Sequence, residues 1–361
     1  LDIGPDVRAS QPNMASVMDA GADVDMKPGI STAYYEVNDT ALFYDSYTGV
    51  FMEYTKRGVG NHCAVWVADD LSFPEDDPRN EYPERYNITD DDVEYIIDEF
   101  DNNIYDKEAV YFGEPDNLTG ENAVIDDYGF PIMETEDGKE VMIMISNIRD
   151  ENYYDPDYRS YVVGYYSPTT EYYYDRNVIH IDCWDWENRT GAESERPFVY
   201  ESTVAHEYQH LLHDDTDSIE ETWLNEGISM YAETLCGYGV PTDYADFFFT
   251  TPDNGLTEWG DQGQENILAD YGAAMMFMLY MNDHFGGASI IGDLFNSTLQ
   301  GTDSVTEVLQ ATEGYSDWAF DKVFHYWRMA NLIRSDYPGD GWYNYDSIDW
   351  GDVYDLWNGS M

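Results

Sequence analysis

Polar and apolar positions follow strand-like patterns in the first half of the chain and helical spacing in the second. From Ala33 to Asp70, "ALFYDSYTGVFMEYTKRG" and "HCAVWVADD" have the aromatic and β-branched content of strands. "TDDDVEYIIDEFDNNIYDKE" then places Val93, Ile96, Ile97 and Phe100 on one helical face, with Thr89 or Asp90 as N-cap. "EVMIMISNI" (140–148) and "NVIHIDCW" (177–184) read as buried strands that bracket a loop rich in Tyr and Asp. After Pro197 the pattern predicts one helix to about His213 and another from Ile219 to Leu235, ended by Gly237. A third covers "DYGAAMMFMLYMNDHFGG", and "SIIGDLFNSTLQG", "SVTEVLQATEG" and "SDWAFDKVFHYWRMANLIRS" continue the helical part. Strands first and helices later is the pattern of an α+β domain.

This reading gives residues 34–336 as the folded domain, with a β-rich part over 34–196 and a helical part over 197–336. Residues 1–33 carry Pro and Gly without period and read as an extended arm or a propeptide remnant. The chain starts at Leu1 rather than Met, which fits a trimmed N-terminus. Residues 337–361 form an aromatic, acidic C-terminal extension.

Charge narrows the partners. Of the 361 residues, 74 are acidic and 16 basic, a net charge of −58, and Asp outnumbers Glu by 46 to 28. A field of that sign excludes nucleic acid and repels anionic membranes. It also strains the fold by self-repulsion, which salt screens. We therefore expect a halophilic protein, with a melting temperature that climbs between about 0.05 and about 2 M NaCl. A flat melting series would contradict this.

Cys63, Cys183 and Cys236 are too widely spaced for a thiolate metal cluster and imply no disulfide framework, so buried thiols are expected. No 18-residue apolar run spans a membrane. Six Asn-X-Ser/Thr sequons, at Asn38, Asn87, Asn117, Asn188, Asn296 and Asn358, make these residues glycosylation candidates. They favour exposure outside the cell or at its surface.

The chemistry is concentrated in "TVAHEYQHLLHDDTDSIEETWLNEG" (203–227). His206 and His210 are four apart, so a helix puts both imidazoles on one face, within reach of one cation. Glu207 is one step round, placed to touch a metal-bound water without ligating the ion. Catalytic zinc takes three protein ligands and keeps one position open. Glu226 can supply the third if the chain returns antiparallel after the Asp-rich turn. Glu233, two turns further along the same face, is placed to accept the spare N–H of a ligating His. His213, beside "DDTD", is expected to cap a turn or lie exposed. His62, His180, His284 and His325 stand alone and read as structural.

"HEYQH" followed by "WLNEGISMYAE" resembles the gluzincin clan of zinc metallopeptidases. The short spacing is most similar to its hyicolysin-like secreted members. "VYFGEPDN", "VMIMISNIRDENYY", "VIHIDCW" and "DYGAAMMFMLYMNDHFGG" resemble the segments that flank the motif in that family. The resemblance covers about residues 60 to 335. It implies a zincin-like α+β fold with an N-terminal mixed sheet, a mainly helical C-terminal half and the zinc site between them. It also implies a zinc endopeptidase acting on proteins or peptides. In related enzymes a Tyr or His on a later helix stabilises the oxyanion, and Tyr271 is the candidate here.

Some alternatives stay open. Ca2+ is a second candidate cofactor, at the Asp-rich stretches 150–157 and 214–217, although neither has the spacing of a known loop motif. A zinc-retaining but catalytically silent surface or assembly protein is one rival function. Glu207 argues against it, since a structural zinc needs no base. A carbohydrate-binding module is another, suggested by 33 Tyr and 10 Trp, but no aromatic motif repeats. Oligomeric state has no signature in the sequence.

Overall fold

A computed structural model describes residue 20 and residues 34–351, except 46, 159–160, 252 and 264–265. Apart from Ala20, the arm proposed over 1–33 lies outside the described residues, as do Asn358 and the end of the C-terminal extension. The chain divides into two compact units. Among the described residues, one comprises those up to 106 and 114–212, the other 107–113 and those from 213 on. The architecture is α+β, with a mixed N-terminal sheet and a helical C-terminal half.

The first unit is built on six strands: β1 (Thr40–Asp45), β2 (Val50–Val59), β3 (Cys63–Ala68), β4 (Val141–Ser146), β5 (Gly164–Tyr166) and β6 (Asn177–Asp182). Their order in the sheet is β1-β2-β3-β4-β6-β5. β1, β2 and β3 pair antiparallel, β3 with β4 and β4 with β6 pair parallel, and β5 returns antiparallel on β6. Every residue of β4 and β6 is buried, as expected for central strands covered on both faces, and β6 carries the buried polar residues Asn177, His180 and Asp182 among its apolar ones.

Helix α1 (Asp90–Glu99) starts from a capping box between Thr89 and Asp92. It packs on β2 at Gly58, where a Cβ would come within 2.6 Å of the Ile97 side chain. A π turn over Phe100–Ile104 leads into helix α2 (Tyr105–Tyr111). Within that turn, Asp101 accepts the backbone N–H groups of Asn61 and His62 and so fixes the β2–β3 hairpin.

The segment read as a Tyr- and Asp-rich loop is partly regular. It contains helix α3 (Glu151–Tyr154), edge strand β5 and helix α4 (Pro168–Tyr174). Buried carboxylates bond within it and at its borders. Asp150 accepts from the backbone N–H groups of Tyr153 and Val162, and Asp182 from those of Ile148 and Trp184. Burial pushes both carboxyls up, Asp182 from 3.8 to about 6. A carboxyl raised on folding favours its protonated form in the native state. Its burial therefore costs stability progressively as pH climbs from about 4 to about 6. Asp182→Asn should gain on the wild type in melting temperature across that window. A difference between the two that does not change with pH would contradict this assignment.

Helix α5 (Val199–Asp217) is followed by α6 (Thr222–Cys236), α7 (Thr242–Thr250), α8 (Ile267–Phe285), α9 (Ala288–Phe295), α10 (Gly301–Ala311) and α11 (Phe320–Ile333). α5 runs a full turn beyond the expected end near His213 and takes "DDTD" into the helix. α6 starts three residues later than expected and ends on Gly237, whose φ of 97° suits a residue without Cβ. α8 is buried almost all round, as the apolar run Tyr271–Met281 requires. Two glycines permit close helix crossings in the second unit. A Cβ at Gly227 on α6 would lie 3.0 Å from Met278 Cγ, and one at Gly272 on α8 would lie 2.0 Å from the Tyr244 carbonyl oxygen.

The described part of the C-terminal extension packs within the second unit. Asp283 on α8 accepts from the backbone N–H groups of Asp346 and Ser347, and Tyr280 donates to the Trp342 carbonyl. The three cysteines are buried free thiols. Among the described residues, no helix is long and apolar enough to cross a membrane.

Candidate metal centre

Helix α5 carries the motif "HEYQH", and it is anchored in the first unit at its N-terminal end. Glu201, fully buried in the first turn, accepts from the Tyr95 hydroxyl at 2.7 Å and the Gly191 N–H at 2.5 Å. A carboxylate there also suits the positive end of the helix dipole. The Val199 N–H bonds to the Arg189 carbonyl, and Tyr200 stacks on Trp186.

One turn on from these anchors, the four-residue spacing does what helical geometry demands. The Nε2 atoms of His206 and His210 lie 3.0 Å apart, with the rings nearly perpendicular at 78°. Both rings are buried, as is Glu207 between them in sequence. Glu226, on α6, is fully buried. The ligand atoms offered by His206, His210 and Glu226 all lie within 4.8 Å of one another.

The donor set fits a borderline divalent cation. Tetrahedral zinc bonds of about 2.0–2.2 Å put neighbouring donors roughly 3.3–3.6 Å apart, so small side-chain adjustments would close the shell. Two neutral imidazoles and one carboxylate leave a dication net positive, and three protein ligands leave one position open. A buried carboxylate is costly without compensating charge, which a dication supplies.

The remaining candidates are distributed over several elements. Glu233 is half-buried near the end of α6. Tyr271 is buried on α8, with its ring against Trp259 (centroids 4.8 Å apart) and Tyr244. His213 corrects the expectation of a capping or exposed residue. Because α5 continues to Asp217, His213 sits within the helix, buried, with its ring 4.9 Å from that of Phe295. His180 is buried in β6 and stacks on Tyr165, and burial pushes its pKa down to about 4. His62 stacks on Tyr105, and His284 contacts the Asn344 carbonyl. His325 is exposed beside Tyr326.

Residues of the Asp-rich stretches have hydrogen-bond partners within the protein. Asp217 accepts from the Ile219 N–H and the Gln300 side chain, and Asp155 from the Asp157 N–H. Among the described residues, neither stretch forms a three-residue metal group. Of the sequon asparagines, Asn38, Asn87 and Asn117 are exposed. Asn188 and Asn296 already donate their side-chain amides, to Asp185 and to the Tyr111 and Gly292 carbonyls.

Sequence reasoning passed over Gly164 on β5 and Gly227 on α6. The second could have been suspected from its place directly after Glu226. The first had no signal, because the three-residue strand around it was not visible.

No protein-family model matches the chain. The chain is similar to the neutral metalloprotease ShpI of Staphylococcus hyicus, with 26% identity over 268 residues, covering 70% of this chain and 51% of that protein. It thus spans about half the length of that relative. The likeness is distant and supports a metallopeptidase relationship at the family level.

Proposed function

We propose that this chain is a zinc-dependent endopeptidase that hydrolyses proteins or peptides outside the cell or at its surface. The observation that carries the proposal is the buried His206–His210–Glu226 group, with Glu207 on the same helix as the two imidazoles. The ShpI likeness adds weight to protease chemistry. On this reading residues 34–336 form the metallopeptidase domain, with residues 1–33 and 337–361 flanking it.

His206, His210 and Glu226 would hold the ion. When bound, zinc supplies Lewis acidity, which makes a water acidic near neutral pH and polarises a carbonyl. Glu207 acts as general base, takes the proton of the attacking water and returns it to the leaving amine. Tyr271 donates a hydrogen bond to the developing oxyanion. Glu233 orients a ligating imidazole by accepting its second N–H. Exposed sequons at Asn38, Asn87 and Asn117 are the better glycan acceptors, since the amides at Asn188 and Asn296 are already used.

The test is casein hydrolysis before and after chelation. Activity should vanish with the metal and return when stoichiometric zinc is added back. Hydrolysis indifferent to chelation would contradict the proposal. Zinc bound without hydrolysis would favour a silent assembly protein instead.

A further inference from the structure

The first unit holds a close approach beside the proposed base. Edge strand β5 passes α5 at Gly164, where the glycine φ lies outside the left-handed region, so backbone conformation alone does not call for glycine. Space does. A Cβ built on Gly164 would lie 2.5 Å from Thr203 Cγ2, 2.9 Å from the His180 carbonyl oxygen and 3.3 Å from Glu207 Cγ. We infer that Gly164 is a positioning residue, which seats β5 against α5 and so confines the Glu207 side chain. This rests on the reading of Glu207 as general base.

The three neighbours differ in how far they can yield. Thr203 Oγ1 donates to the Val199 carbonyl at 2.7 Å, which fixes its rotamer and keeps Cγ2 directed at the strand. The His180 carbonyl belongs to β6, the strand to which β5 is paired from Gly164 to Tyr166. β5 is tethered just before Gly164, where Asp150 accepts from the Val162 N–H and Asp182 donates its own N–H to the Val163 carbonyl. A methyl group at 164 must therefore displace the strand or the helix face that bears Thr203 and Glu207. The added methyl presses on Glu207 directly, at 3.3 Å from its Cγ, as well as on Thr203 one helical turn before it. Displacing a catalytic group by about 1 Å costs up to roughly 100-fold in rate.

Two variants separate positioning from packing. In Gly164→Ala, casein hydrolysis should show kcat lowered by about 10- to 100-fold, with KM within about twofold and bound zinc unchanged. Gly164→Ala combined with Thr203→Ser removes the nearest atom, Cγ2, yet keeps the hydroxyl that bonds to Val199. Its melting temperature should recover while kcat stays low, because the added methyl still faces Glu207 and His180. Wild-type kcat in the single variant, or kcat that recovers together with melting temperature in the double, would overturn the inference. Glu207→Gln is measured in parallel. If that variant still hydrolyses casein, the base assignment fails, and the role inferred for Gly164 fails with it. If Glu207→Gln is inactive and Gly164→Ala is not, the inference alone fails.

Discussion

Glu207→Gln should abolish casein hydrolysis while fold and bound zinc stay as in the wild type. Gln keeps the shape of the side chain and removes only its ability to take a proton. General-base catalysis of this kind contributes about 10²- to 10⁴-fold, so residual activity should fall by at least the lower figure. The substitution is also mild on structure. The side chain is buried in the middle of α5, among the buried neighbours Ala205, Tyr208 and Gln209, so an isosteric change leaves the packing in place. Hydrolysis near the wild-type rate would place the base elsewhere. Joint loss of zinc and activity would recast Glu207 as a ligand.

Glu226→Ala should have the largest effect on the metal. It removes the only carboxylate of the three-residue group and leaves two imidazoles for a cation that wants three protein donors. Changing a group one shell further out costs roughly 10- to 100-fold in metal affinity, so loss of a direct ligand should exceed about 100-fold. Equilibrium dialysis against zinc measures this. An affinity unchanged by the substitution would remove Glu226 from the shell. The backbone beside it runs close to α8, since a Cβ added at Gly227 would lie 3.2 Å from the Ala274 carbonyl oxygen.

The two halves of the molecule were unequally legible in sequence. β4 and β6 were legible as buried strands, β4 from its run Val141–Ile145 and β6 from Val178, Ile179 and Ile181, because central parallel strands are buried on both faces. The "HEYQH" spacing was equally plain, since helical period alone brings His206 and His210 together. Glu226 was legible through its setting of Trp223, Leu224 and Ile228, all of which are buried. What failed depends on long-range contacts. β5 is three residues long and its approach is fixed by the Asp150 carboxylate, which in sequence looks like solvated acid, and by the backbone N–H of Asp182. The end of α5 was misplaced because "DDTD" reads as a loop, whereas Asp217 bonds to Gln300, far away in sequence. His213 was misjudged for the same reason.

The central claim is that one ion is shared by His206, His210 and Glu226, and the most direct measurement is anomalous diffraction at the zinc edge from crystals of the purified protein. The account predicts a single peak about 2.0–2.2 Å from one nitrogen of each imidazole and from a carboxylate oxygen of Glu226. A peak elsewhere, or none in zinc-loaded crystals, would contradict it.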